Sequence, residues 1–184
     1  MSGPTETAYA KINLALHVRG RRADGYHDIE TLFAFVDAGD QLSATPALDI
    51  SLTFGGQFGS ALSAEDNLVL AAADVLRREA VITAGAALHL EKNLPIASGI
   101  GGGSADAAAA LRLLNRLWDI GYSDDKLAEI AAPLGADVPA CLYSKTQLGQ
   151  GTGQDLKPVE IAGLQNMPVL LVNPLMPVST AAIR

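Results

Sequence analysis

A chain of 184 residues with 49% hydrophobic and 18% charged side chains holds enough apolar material for one substantial core and the beginning of a second. Its formal charge of −7 argues against a nucleic-acid or anionic-membrane partner, each of which needs a basic face, so any phosphate must be held by a local device. The single cysteine, Cys141, excludes a disulfide framework and a thiolate metal cage, and its neighbours Pro139, Ala140 and Leu142 predict a buried thiol.

The first residues show no charged segment followed by an apolar one, and no apolar run approaches the roughly 20 residues that span a bilayer. A cytoplasmic protein is expected. Residues 8–18 alternate, with Ala8, Ala10, Ile12, Leu14, Leu16 and Val18 apolar and Tyr9, Lys11, Asn13 and His17 between them. This predicts a strand with its even positions on the core, and Lys11 and Asn13 side by side on the opposite face, toward solvent or a site. The turn-rich run RGRRADGYHD follows, then an apolar stretch over 32–36, a turn at Ala38-Gly39-Asp40 and a strand over 48–54. Leu68, Ala71, Ala72, Val75 and Leu76 have helical spacing within 67–78, and 86–90 alternates as another strand.

The composition then changes. A proline leads through a glycine cluster into an alanine-rich helix whose face is Ala107, Leu111, Leu114 and Trp118; Gly121 fits its stop, and Ser123-Asp124-Asp125 the start of the next helix. A second cluster, Gly149, Gly151 and Gly153, precedes an apolar strand candidate over 168–172. Ser179 and Thr180 are placed to cap a helix, yet only four residues follow Thr180, which suggests a fragment or a truncated reading frame.

The strongest local signal is the run Pro95, Ile96, Ala97, Ser98, Gly99, Ile100, Gly101, Gly102, Gly103, Ser104 and Ala105. Glycines allow positive φ and let amides approach an anion, and the following helix presents its free N–H donors and partial positive end. The run is neither a Walker A loop, which needs a Lys-Ser or Lys-Thr pair, nor a Rossmann fingerprint, because Ser104 stands where Gly or Ala belongs. A plain glycine turn capped by Ser104 is the competing reading. Similar alternatives stand elsewhere. Lys11 could simply solvate a strand face, Asp137 before Val138-Pro139 could stabilise a turn, Asn67 could cap its helix, and DGYH could be an ordinary turn. His17 and His89 fall in strand patterns without a second ligand at metal spacing, so neither points to a structural metal.

The segment PIASGIGGGSADAAAAL resembles the second conserved motif of the GHMP kinases, with Ile100 where leucine is more frequent. AYAKINLALHVRGRRADGYHDIETLF and LGADVPACLY resemble the diphosphocytidyl-methylerythritol kinase branch of that superfamily, and the likeness continues through EDNLV and VNPLMPVST. It implies an α/β fold of two-layer α+β type, with a ribosomal protein S5 domain 2-like ATP-binding domain over 1–160 and an incomplete, ferredoxin-like carboxy-terminal domain beginning at 161–184. Members of the family continue for roughly another hundred residues, with a third glycine-rich motif.

The resemblance further implies ATP and Mg2+ as cofactors and 4-diphosphocytidyl-2-C-methyl-D-erythritol as the small-molecule partner, with neither nucleic acid nor membrane involved. Asp137 would be the catalytic base and Lys11 its partner, holding it ionised and neutralising the transferred phosphoryl group. Tyr26 and His27 would read the cytidine, and Asn13, with Thr180 behind it, the methylerythritol hydroxyls. The loop from Pro95 to Ala105, with Asn67 and Lys92, would hold the adenosine phosphates, and Ser104 would face the metal. A catalytically inert nucleotide-binding module and a different GHMP small-molecule kinase are the rival readings.

Overall fold

The computed structural model of the chain describes residues 3–23, 25 and 27–173. Strands β1 (Thr5–Arg21), β2 (His27–Ala47) and β3 (Ile50–Gly55) come first, then helix α1 (Leu68–Glu79) and β4 (Gly85–Glu91). Three helices follow, α2 (Gly102–Leu117), α3 (Asp124–Ala131) and α4 (Val138–Tyr143), and the hairpin β5 (Gln147–Gly151) and β6 (Asp155–Pro158) comes last among the described residues. The strands form one mixed sheet in the order β3-β4-β2-β5-β6, with β1 paired to β2. Only β3 and β4 run parallel. This is the mixed sheet with helices that the sequence leads one to expect, and no helix of the described residues is long and apolar enough to cross a membrane.

β2 is the spine. Residues 41–47 pair with β4, residues 29–33 pair with β5, and β1 runs along nearly the whole strand. The expected turn at Ala38-Gly39-Asp40 is therefore not a turn. Tyr9 pairs with Gly39 and Lys11 with Phe35, two steps on β1 against four on β2, so the chain bulges where the turn signal lies and the pairing continues through it. Gly39 is needed there for close approach, because a Cβ on it would lie 2.6 Å from the Ala8 carbonyl oxygen. Across this irregularity the buried side chains switch from Asp40, Leu42 and Ala44 to Phe33 and Thr31.

The same bulges correct the reading of β1. Ala8 and Ala10 are buried as the alternation predicts, but Lys11 is buried with them, and Leu14, Leu16 and Val18 are about half exposed. An extra residue between Asn13 and Ala15, which pair with Phe33 and Leu32, shifts the register again, and residues 13–21 lie open. Strict alternation fails because strand faces are set by pairing partners, which a single strand does not reveal.

Helices follow the sequence more closely. Asn67 caps α1, its Oδ1 accepting from the Val69 amide at 2.9 Å, and Ser123 caps α3, its Oγ accepting from the Lys126 amide. α2 is buried on nearly every side, with Ala107, Ala108, Ala109, Ala110, Leu111 and Leu114 fully enclosed. Its small side chains let it lie close to the sheet, where Ala8, Leu42, Leu88 and Leu90 meet it in one core. Trp118 ends it by donating to the Gly85 carbonyl, and Gly121, with φ +75°, turns the chain away three residues later. The strand expected over 168–172 is absent: those residues have no regular structure and are largely exposed, and no strand among the described residues pairs with them. Ser179 and Thr180 lie outside the described residues.

Candidate active site

The glycine-rich run is a loop of alternating backbone hand. Ala97, Gly99 and Gly101 have φ of +53°, +76° and +66°, so successive amides turn toward one side, the geometry of an anion-holding nest. Ser98 donates to the Pro95 carbonyl at 2.7 Å and closes the first bend. Gly101 is the left-handed N-cap of α2, and no side chain occupies its first free amides. A cleft of about 450 Å³ opens above them, walled by residues 95–99 and 101–104 and by Asn67, Leu68, Lys92 and Asp106.

Nearly all of the residues assigned to the nucleotide thus meet in one place; Ile100 and Ala105 do not line the cleft. Asn67 does both things that were open for it: it lines the cleft and caps α1, with its amide nitrogen donating to the Ser63 carbonyl. Its side chain is therefore committed within the protein. Lys92 is buried, and its ammonium lies 2.6 Å from Asp40 Oδ2 and 2.5 Å from Asp106 Oδ2. Burial pushes the Asp106 carboxyl up to about 7, against the pull of Lys92 and with the help of Asp40. Asp106 Oδ1 is buried without a hydrogen-bond partner.

A second cluster stands on the other side of the loop. The Lys11 ammonium donates to Asp137 Oδ2 at 2.9 Å and to Asn13 Oδ1 at 3.1 Å, and it lies over the Phe33 ring, 4.8 Å from its centre. The Lys11 side chain is 5% exposed and that of Asp137 37%, so the carboxylate is the accessible partner of a buried cation. Asp137 lies in the turn that precedes α4 but makes no side-chain cap, so its carboxylate is not used to cap that helix. Lys11 is likewise not a solvated surface residue, since past the irregularity in the β1–β2 pairing it is buried beside Ala8 and Ala10.

Asn13 is tied down as well. Its Nδ2 donates to Thr31 Oγ1 at 2.6 Å, and Thr31 in turn donates to the Ala15 carbonyl. Arg112 fixes α4 to the rest: its guanidinium reaches Glu6, the Thr7 carbonyl and the last carbonyls of α4 at Cys141 and Leu142. The two clusters are joined by the backbone, because the Lys11 amide donates to the Ile100 carbonyl at 2.9 Å. A Cβ on Gly101 would sit 3.1 Å from Lys11 Cε.

His27 opens β2 opposite Arg21 and is partly exposed, on the strand that also carries Thr31, Phe33 and Asp40 but in contact with neither cluster's charged groups. Tyr26 and Thr180 lie outside the described residues. Among the described residues no group of three His, Cys, Asp or Glu side chains is placed to hold a metal ion. His89 instead bonds to Thr53 Oγ1 and Glu91. Sequence reasoning missed Asp40 as a site residue and did not pair Asp106 with Lys92. Asp40 carries no distinguishing signal among its polar neighbours Asp37 and Gln41, and the adjacent glycine makes it read as a turn.

Residues 67–145 match the model of the GHMP kinases N terminal domain. The chain is 53% identical to a 4-diphosphocytidyl-2-C-methyl-D-erythritol kinase of Parvibaculum lavamentivorans, over 100% of this chain and 63% of that protein. It is 50% identical to the kinase of the same name from Agrobacterium fabrum, over 100% of this chain and 64% of that one. The chain thus spans about three-fifths of the length of these curated relatives. Among solved structures, a 4-(cytidine 5'-diphospho)-2C-methyl-D-erythritol kinase superposes with a TM-score of 0.71 at 38% identity, over 85% of this chain and 55% of that one. The Methanococcus jannaschii mevalonate kinase shares the fold alone, with a TM-score of 0.65 at 11% identity over 86% and 56% of the two chains. In sequence over residues 67–145, and in fold, the chain matches the GHMP kinases.

Proposed function

We propose that the chain carries the ATP site and the reacting pair of a cytoplasmic kinase that phosphorylates the 2-hydroxyl of 4-diphosphocytidyl-2-C-methyl-D-erythritol, a step of non-mevalonate isoprenoid synthesis. The observation that carries this reading is the Lys11–Asp137 pair, fastened through the Lys11 amide to the loop that ends at the N-terminus of α2. Residues 1–160 would form the ATP-binding domain, and 161–184 the start of a second one. The 53% identity to a kinase of that name supports the substrate.

In the reaction the acceptor hydroxyl loses its proton to Asp137 as its oxygen bonds to the γ-phosphorus and the bond to the bridging oxygen of ADP breaks. Asp137 Oδ2 is engaged by Lys11, which leaves Oδ1 for the hydroxyl, and the ammonium opposes charge gathering on the transferred oxygens. Asn13 orients Lys11 and offers the substrate the remaining lone pair of its amide oxygen and the second N–H of its amide nitrogen. Tyr26, His27 and Thr180 are proposed for the acceptor by family resemblance. The loop amides over 95–105, with Lys92 and the wall at Asn67, would hold the nucleotide. Mg2+ fits as an ion that arrives with the phosphates: Ser104 lines the cleft and would hold it, and the ion would draw charge from the phosphate oxygens.

The test is ADP formation from MgATP with 4-diphosphocytidyl-2-C-methyl-D-erythritol, comparing the chain with its Asp137→Asn variant. A loss of about 10²- to 10⁴-fold with ADP binding retained is expected. The second reading is an inert nucleotide-binding module; a wild-type chain that binds ADP and forms none would establish it.

A further inference from the structure

The reacting pair does not use the buried cluster beneath the cleft. Asp40 has no exposed surface, sits in the middle of β2 and makes three contacts of one kind. Its Oδ1 accepts from the amides of Asn93 at 2.6 Å and Leu94 at 2.8 Å, and its Oδ2 accepts from the Lys92 ammonium at 2.6 Å. These donors are the last residues before Pro95, where the glycine-rich loop begins. Lys92 is also fixed through its backbone, its amide to the Gly55 carbonyl and its carbonyl to the Phe58 amide. Its Nζ would lie 3.1 Å from a Cβ on Gly102, so the ammonium rests directly against the first residue of α2. Two of its three N–H groups are taken by Asp40 and Asp106, and Lys92 itself borders the cleft.

Burying a carboxylate in the middle of a strand is costly unless its partners are held in place, and an apolar side chain would pack there without that cost. The directions of the three contacts give the carboxylate a purpose. We propose that Asp40 is a positioning residue for nucleotide binding: by gripping the Lys92 ammonium together with the Asn93 and Leu94 amides, it fixes the positive charge under the helix end and the path by which the loop enters the cleft. Asp106 holds the ammonium from the opposite side. This inference rests on the reading that the cleft takes a nucleotide. Asp40 acts through Lys92 and the loop and touches no substrate.

A double-mutant cycle on ADP affinity separates this role from general support of the fold. Asp40→Asn keeps one oxygen but cannot serve both the two amides and the ammonium as acceptors, and a roughly tenfold weaker Kd is expected, the scale of one charge-assisted hydrogen bond. Lys92→Met should weaken binding at least as much. The double variant should lose clearly less than the product of the two single losses, because the part of each that runs through the Asp40–Lys92 contact is shared; losses that multiply in full, or an Asp40→Asn variant that binds like wild type, would overturn the proposal.

Should the variants fail to fold, the wild-type chain decides the question. The Lys92 ammonium, enclosed by two carboxylates, should give a slowly exchanging signal in nitrogen-15 spectra that moves when ADP is titrated in. ADP binding that leaves this signal in place overturns the positioning role alone. A wild-type chain that binds no ADP overturns the nucleotide reading and this inference with it.

Discussion

Gly101 stands where the two clusters of the site touch, and its backbone is left-handed at φ +66°. Alanine there would adopt a conformation costing about 1–2 kcal/mol and press its methyl group onto Lys11. Gly101→Ala should therefore lose about that much stability in urea unfolding and also weaken ADP binding, whereas Gly121→Ala, with nothing near its Cβ, should lose stability only. Cys141 is a different test. Burial raises its thiol from the ordinary 9.0 to about 12, with Asp137 adding to the effect. The native state thus keeps a proton that the unfolded chain has released, so the thiol's contribution to stability is whole below pH 9 and is lost as pH rises through 12. At pH 8 iodoacetamide should leave the folded chain unmodified and react fully after denaturation; rapid labelling of the native chain would contradict the burial. The buried thiol was readable from its apolar neighbours. Lys11 and Asp137 were identified through motif resemblance, and their contact could not be read from the chain, because it joins residues 126 positions apart.

α2 and β1 show what local pattern can and cannot convey. The helix was legible because its period and its glycine start are written in consecutive residues. Leu111, fully buried on it, should cost about 2–5 kcal/mol when changed to alanine, measured by denaturant titration. β1 was legible as a strand but not in its faces. Its alternation puts Leu16 in the core, while the folded chain leaves Leu16 48% exposed after two bulges that depend on β2. Leu16→Ser should accordingly change stability by no more than about 0.5 kcal/mol, and a loss on the scale of Leu111→Ala would show that this half of β1 is buried after all. Asp40 was lost for the same reason: the glycine beside it reads as a turn in one strand and as a close approach once the partner strand is present.

At the scale of the whole molecule, β4, which leads into the glycine-rich loop, and β5, which follows α4, pair with opposite ends of one strand. Arg112 adds a second tie between β1, α2 and α4. The described residues should therefore unfold as one unit: Trp118 fluorescence, which reports the junction of α2 and β4, and far-ultraviolet circular dichroism should give coincident urea midpoints, and separated midpoints would mean that the two wings melt independently. The bulge in β2 has a consequence for length. Because Asp40 lies on one side of it and Phe33 and Thr31 on the other, the strand works as a ruler whose graduations are residues. Removing a single graduation between Phe35 and Asp40 would reverse the facing of every side chain on one half relative to the other, a frameshift in space rather than in code. Loops at the rim can lengthen or shorten and leave the chemistry where it is; this strand has no such latitude.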